Sequence, residues 1–316
     1  MTNPSAINQS SIINHQSSVV NHQSSVINHQ SSIINHQSMK RLLSIELQKL
    51  WKNRASKALI ISYFVILCFI SLIASIEFTI GGVPFRIAEQ GIFNFPFIWH
   101  FNTYVAGLLK IFLAVVIVSM MANEYSYGTL KQNLIDGLSK KEFVLSKFLV
   151  VALFALGSTF FIFLLSVILG YSFSSYTELS IVLTDVDYLL AYLVKLLGFF
   201  SFCLFLGILV KRSAFALGFL ILWSIIEWIL YGIMKWGLFK GTEIAESVSR
   251  FFPLESMSLL IFNPARRLSV IRNAEQQAGI TNENIYEVNY LQILIVLIWT
   301  ALFIYWSYRL LKKRDL

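Results

Sequence analysis

The sequence contains few charged residues and few cysteines. Of its 316 residues, 13% are charged and 56% are hydrophobic, whereas a soluble chain carries about 25% charged residues and 45–50% apolar residues. A soluble core cannot cover so many apolar side chains, so the composition excludes an ordinary soluble protein. The two cysteines, Cys68 and Cys203, each lie in an apolar stretch, which excludes a disulfide framework and a cysteine metal cluster.

Motifs that would support catalysis are also missing. The sequence has no G-x-x-x-x-G-K-[ST] phosphate-binding loop and no H-E-x-x-H zinc motif. Outside an N-terminal repeat, His100 is the only histidine, so no Ser–His–Asp set is available. We therefore expect that this chain is not an enzyme and that it binds no cofactor and no metal.

Long apolar runs dominate the rest of the sequence. Six of them reach the roughly 20 residues that cross a bilayer, and they lie at 58–77, 101–122, 148–170, 188–210, 213–234 and 288–308. Backbone amides in lipid must be hydrogen-bonded within their own segment, so these runs are predicted to be helices. They are too continuous for the alternating strands of an outer-membrane barrel. The predicted fold is all-α, a polytopic membrane protein with six transmembrane helices.

Basic residues are concentrated in every second loop. Residues 40–57 hold six basic residues and one acid, and the segments 123–147, 211–212 and 309–314 are also basic. The loop 171–187 holds three acids and no base, and the long loop 235–287 is balanced. The positive-inside rule then places both termini in the cytoplasm. Topology thus explains the net charge of +8, and we expect the lipid bilayer and no nucleic acid as a partner.

A seven-residue unit, SSIINHQ and close variants, occurs four times in residues 10–37. Its serine, asparagine and glutamine content predicts that residues 1–38 are a disordered low-complexity segment. Two adjacent apolar residues in each unit do not make a coiled-coil seam. One histidine recurs in each unit, which leaves a weak metal site as the alternative. Met39 resembles a natural start, so we interpret the repeats as an upstream mistranslation and residues 39–316 as one transmembrane domain.

The segment 39–55 is predicted to be an amphipathic helix. Four apolar residues fall at i, i+4, i+7 and i+8, namely Leu43, Leu47, Leu50 and Trp51. A helix with one such face and a basic face lies in the membrane interface. The alternative is a solvated leader with chance spacing.

The polar segment NEYSYGTLKQNLIDGLSKKEF, residues 123–143, separates the second and third apolar runs. Tyr127, Leu130 and Leu134 have helical spacing, so we expect a short helix with one apolar stripe. Asp136-Gly137 predicts a turn, and Ser139 with Glu142 forms a capping box that starts the next helix. A short helix is marginal in water and needs a partner, which is either the protein's own membrane surface or a separate cytoplasmic subunit.

This segment resembles the corresponding part of ABC-2 type permeases, the membrane subunits of many bacterial ABC exporters. The matching positions are Glu124, Gly128-Thr129, Ser139-Lys140 and Lys147, and Lys140 stands where arginine is commoner in the family. By topology the resemblance covers residues 39–316 and leaves out the repeats.

The resemblance implies a multi-pass protein of the bacterial cytoplasmic (inner) membrane that works with an ABC ATPase subunit in trans and a second permease chain, identical or different. The helix at 39–55 and the segment after the second span would contact the ATPase. The implied coupling residues are Glu124, Tyr127, Gly128, Thr129, Leu130, Leu134, Ser139, Lys140 and Glu142. The outer loop 235–287 would form short helices near the outer gate, although its sequence fits a small extracellular cap equally well.

Three ionisable residues, Lys110, Lys195 and Glu227, lie inside the apolar runs. One interpretation is that the lysines snorkel to the outer surface and Glu227 faces a polar groove. The other is that Glu227 pairs with Lys110 or Lys195 at the outer end of a translocation path.

These patterns favour the permease subunit of an ATP-driven exporter. A secondary transporter is the first alternative, but it typically shows inverted repeats and the six runs show none. A membrane scaffold or sensor without transport is the second alternative. No residue pattern indicates the substrate.

Overall fold

The structure is a computed structural model that describes residues 40–80, 83–86, 91–240, 242–267 and 287–314. The chain divides into two units, residues 1–48 and residues 49–316. In the first unit the described residues, 40–48, are helical. The predicted repeat region 1–38 lies outside the described residues.

Helices form almost all of the described chain. They are α1 (40–52), α2 (Arg54–Ser75), α3 (Phe97–Leu109), α4 (Ile111–Ser126), α5 (Thr129–Ile135), α6 (Lys140–Phe173), α7 (Leu179–Val182), α8 (Asp187–Val210), α9 (Ser213–Ile233), α10 (Ile244–Ser249), α11 (Pro253–Ser258) and α12 (Tyr290–Lys313). A π-helical turn, Met234–Leu238, extends α9, and a 3-10 turn covers Pro264–Arg267. The predicted all-α fold is confirmed. The chain adds one element that the sequence reading missed, an antiparallel hairpin of β1 (Glu77–Ile80) and β2 (Val83–Arg86).

Among the described residues, five helical segments are long and apolar enough to cross a membrane, and the bent pair α3–α4 makes up to six. They correspond to the six predicted spans, with two differences. The second span bends by 41° between α3 and α4, where Lys110 interrupts the helix. The third span belongs to a helix of 34 residues, which is about 51 Å long and therefore extends well beyond a hydrocarbon core of about 30 Å.

Helix α8 is the centre of the bundle. In its most apolar window 72% of the residues are buried, compared with 17% for the segment that contains α9. It packs against α3, α4, α6, α9 and α12. Two of its glycines permit close approach, since a Cβ on Gly198 would lie 2.7 Å from Val296 of α12 and one on Gly207 would lie 2.8 Å from Met121 of α4. Small residues at such crossings are typical of membrane helices.

A buried hydroxyl cluster attaches α2 to this centre. The Tyr63 hydroxyl lies 2.5 Å from Ser158 Oγ and 2.7 Å from the Tyr192 hydroxyl, and Ser158 Oγ lies 2.8 Å from the Tyr192 hydroxyl. All three side chains are fully buried. Because polar groups inside a bilayer must find partners within the protein, the cluster specifies how α2, α6 and α8 meet.

The glycine crossings generate a prediction about stability. Replacement Gly198→Ala forces a methyl group against Val296, and overpacking of this kind costs about 1–3 kcal/mol. Gly218→Ala on α9 is the matched control, because a Cβ there meets nothing within 4 Å and alanine favours the helix. Thermal unfolding in detergent should show a lower unfolding temperature for Gly198→Ala and an equal or higher one for Gly218→Ala. Equal unfolding temperatures of the two variants would contradict the close packing of Gly198 against Val296.

Candidate functional site

Glu124, near the end of α4, is the centre of a buried charge cluster. Its Oε1 accepts hydrogen bonds from Lys147 Nζ at 2.6 Å and from Lys49 Nζ at 3.0 Å, and its Oε2 accepts one from Thr129 Oγ1 at 2.5 Å. Glu124 is 4% exposed and Lys147 is fully buried, whereas Lys49 is 40% exposed. One carboxylate therefore links α4, α5, α6 and the end of α1 through charge-assisted hydrogen bonds.

The backbone turn after Glu124 explains why Gly128 stands at this position. The helix α4 ends when the Tyr127 N–H bonds to the carbonyl of Asn123. Gly128 then adopts a left-handed backbone with φ of +68°, which glycine adopts without a steric penalty. Thr129 follows as the first residue of α5, and the turn brings its hydroxyl back onto Glu124.

The apolar stripe predicted for α5 is divided between two sides. Leu130 is buried and Leu134 is half-buried, and α5 packs on α4, which agrees with a partner within the same protein. Tyr127 is 74% exposed and Ile135 is 70% exposed. The stripe as predicted is therefore wrong in part, because the turn at Gly128 directs Tyr127 away from the face that carries Leu130. The exposed apolar side chains of this segment are Tyr127 and Ile135, and the sequence reading did not single out Ile135.

The capping box predicted at the start of α6 is confirmed. Ser139 Oγ accepts the backbone N–H of Glu142 at 3.2 Å, and Glu142 Oε2 accepts the backbone N–H of Ser139 at 3.0 Å. The cap satisfies amides that would otherwise lack a partner at the helix start. It fixes the entry into α6 seven residues before Lys147, which is the partner of Glu124.

Two basic residues connect this region to the carboxyl ends of other helices. Lys140 Nζ donates to the carbonyl of Arg314 at 2.8 Å, just after α12. Arg314 in turn donates to the carbonyls of Ile208 and Leu209 at the end of α8 and to the Tyr125 hydroxyl. Basic side chains commonly bond such terminal carbonyls. One end of the bundle thus contains the ends of α4, α8 and α12 and the start of α6. Lys49, which precedes the first span, binds Glu124 at this same end. Both ends of the membrane domain therefore lie on one side, which fits an even number of crossings.

The sequence-predicted interfacial helix is present as α1. Its residues Leu43 and Leu47 belong to the first unit, and Leu50 and Trp51 belong to the second. Leu50 is buried, whereas Trp51 is 56% exposed and lies under the ammonium of Lys57, 4.9 Å from the ring centroid. The location of this helix in a membrane interface stays a prediction.

Glu227 has partners that differ from the predicted lysines. Its carboxylate accepts the backbone N–H groups of Leu254 at 3.1 Å and Glu255 at 2.9 Å, and the indole N–H of Trp223 at 2.7 Å. These amides belong to the first turn of α11, whose N–H groups have no partner within the helix. A carboxylate is stabilised there by the amides and by the helix dipole. The predicted pairing of Glu227 with Lys110 or Lys195 is therefore corrected, and the role of the three residues in a path stays a prediction.

The long loop before the last span packs on the bundle through α10 and α11. Gln292 of α12 donates to the carbonyls of Arg250 and Ser256 at 3.0 Å, and Trp299 donates to the carbonyl of Phe251 at 2.9 Å. This arrangement agrees with the expected short helices. The described residues contain no group of three or more His, Cys, Asp or Glu side chains that could hold a metal ion.

Comparison with known proteins gives one family. The family described as "Protein of unknown function (DUF2705)" matches residues 58–316. No curated protein matches the chain.

The charge cluster generates a second prediction. Replacement Glu124→Gln leaves the buried ammonium of Lys147 without its counter-charge, and removal of one partner of a buried pair costs about 3–5 kcal/mol. We expect a clear fall in the unfolding temperature of the purified protein. Glu178→Gln, at an exposed position, is the matched control and should have no effect.

The double variant Glu124→Leu with Lys147→Met removes both charges and should recover most of that loss, since an apolar replacement of a buried pair is often neutral. If the double variant instead loses as much stability as the two single variants Glu124→Leu and Lys147→Met together, the two side chains do not interact.

Proposed function

We propose that this chain, which belongs to the DUF2705 family, is the membrane subunit of an ATP-driven exporter. It works with a separate ABC ATPase. The observation that supports this most is the charge cluster at Glu124. It anchors the polar segment 124–142, whose side chains Tyr127 and Ile135 are exposed, to two long helices of the bundle. A protein that docks on this segment therefore pushes on α4 and α6 directly.

The docking surface consists of Tyr127, Ile135 and the polar side chains around them. Both apolar side chains are largely exposed, while the segment behind them is fixed by Leu130, by the Glu124 cluster and by the capping box. A rigid surface with exposed aromatic and aliphatic side chains is suited to binding a protein partner, because little ordering is needed on association. Aromatic residues are also the ones that contribute most at such interfaces.

The mechanism follows from these connections. Two membrane chains and two ATPase chains form the working unit, and ATP binding draws the ATPases together. The movement reaches α5, passes through the Glu124–Lys147 contact into α4 and α6, and separates helices of the bundle. The bend at Lys110 lets α3 move relative to α4. The chain performs a two-state rearrangement and no bond chemistry, and the exported molecule crosses the bacterial cytoplasmic membrane.

Disruption of the docking surface tests this function. The chain is co-expressed with candidate ABC ATPases from the same genome, and the ATPase that co-purifies is quantified. Tyr127→Glu with Ile135→Glu should lower the recovered ATPase at least about tenfold, because loss of an interface anchor commonly costs 2 kcal/mol or more. The unfolding temperature should be unchanged, since both side chains point into solvent.

Tyr176→Glu, at an exposed residue that follows the other end of α6, is the matched control and should leave co-purification intact. A chain that binds no ATPase, or that transports without one, would contradict the proposed function and would favour a secondary transporter or a scaffold.

A further inference from the structure

Helices α3 and α8 face each other along one seam inside the bundle. Three contacts define it: His100 stacks on Tyr188 with centroids 4.3 Å apart, a Cβ on Gly107 would lie 3.9 Å from Lys195 Nζ, and Lys110 Nζ lies 4.4 Å from the centroid of Phe199. The steps are seven residues along α3 and three more to Lys110, which follows α3 at the bend, and seven and four residues on α8. Residues with such spacing lie on one face of a helix, so Lys110 and Lys195 are one helical turn apart on the same seam.

The two lysines have no acidic partner among the described residues. Lys195 is only 6% exposed, and it makes no hydrogen bond or ion pair in the described part of the chain. Lys110 contacts the face of the Phe199 ring. Two acids of neighbouring segments bind other groups: Glu227 binds the start of α11, and Asp185 pairs with Arg267 at 3.3 Å.

This arrangement is unfavourable without a negative charge. The ammonium of the buried Lys195 loses its hydration and gains no counter-ion in return, and the half-buried Lys110 on the same seam repels it. The side chain of Phe199 and the bare backbone at Gly107 provide no acceptor for either one. An anion between the two lysines would remove both penalties at once, since each ammonium can donate several hydrogen bonds to it.

At the end of the seam where α3 and α8 start, Arg267 Nη1 lies 3.2 Å from His100 Nδ1 and its Nη2 pairs with Asp185 at 3.3 Å. The positive charge of Arg267 is therefore balanced there. Lys110 and Lys195 are the basic residues of the seam that have no acidic partner in the described part of the chain.

We propose that Lys110 and Lys195 bind an anionic group, a phosphate or a carboxylate, of the molecule that the protein exports. The identification of this molecule as the exported one rests on the proposed function, whereas the anion site itself does not. The phosphate of an anionic lipid has the same chemistry, and the experiment below separates the two sources. The anion neutralises the repulsion between the two ammonium groups.

The test measures anion binding without any ATPase. The purified chain is placed in nanodiscs of phosphatidylcholine, and its unfolding temperature is compared in sodium phosphate and in sodium chloride at equal ionic strength. Phosphate should raise the unfolding temperature by on the order of a few degrees, because a ligand that binds only the folded state stabilises it. The double variant Lys110→Met with Lys195→Met should lose this shift. Lys240→Met, at an exposed lysine outside the seam, should keep it.

Folding of the double variant is itself informative. Methionine in place of an unpaired buried ammonium should leave the unfolding temperature in chloride equal or higher, so loss of the phosphate shift is not a result of misfolding. No phosphate shift in the natural chain, or an equal shift in the double variant, would overturn the site.

A second set of nanodiscs, in which part of the lipid is phosphatidylglycerol, identifies the source of the anion. A lysine-dependent shift that appears only with this lipid would assign the site to a lipid headgroup and would overturn its assignment to the exported molecule. Failure of the ATPase to co-purify, with the phosphate shift intact, would reject the proposed function and leave the anion site standing.

Discussion

The arrangement of this protein depends on the buried ion pair between Glu124 and Lys147. The pair lies where α4 leaves the bundle and α6 enters it, and the same carboxylate also holds Lys49 and Thr129. A pair this deeply buried is favourable only when both partners remain. The polar segment between the two helices is therefore fixed to the bundle at the position of Glu124.

At both ends of the bundle, charged side chains form hydrogen bonds with backbone groups that helix ends leave unpaired. At one end, basic side chains such as Lys140 and Arg314 bond the carbonyls that α8 and α12 leave unpaired. At the other end, the Glu227 carboxylate bonds the amides that begin α11. Between them, α8 contacts most of the other spans, with close approach at Gly198 and Gly207 and with aromatic contacts such as that of Phe202 with Phe303. Charges at helix ends thus position the elements, and close packing along α8 holds them together.

Much of the fold follows from the sequence, because long apolar runs in lipid have only the helix available to them. The capping box of Ser139 and Glu142 is also readable, since its spacing and its chemistry are local. The bend at Lys110 was missed because no proline marks it. The hairpin β1–β2 was missed although Gly81-Gly82 between its strands is a hairpin turn signal, because each strand is only four residues long and the first follows directly on a long apolar run. The partners of Glu124 and Glu227 could not be predicted either. Lys49, Lys147 and the amides of α11 are distant in the sequence, and only the packing of the helices brings them close.

The central claim is that an external ATPase docks on the segment held by Glu124 and drives the bundle from there. A photo-crosslinking amino acid placed at position 127 or at position 176, in the chain co-expressed with a candidate ABC ATPase from the same genome, tests it most directly. We predict that illumination links the ATPase to position 127 and not to position 176, with a yield that changes when ATP is bound. A link at position 176, or none at position 127 in a complex that hydrolyses ATP, would contradict it.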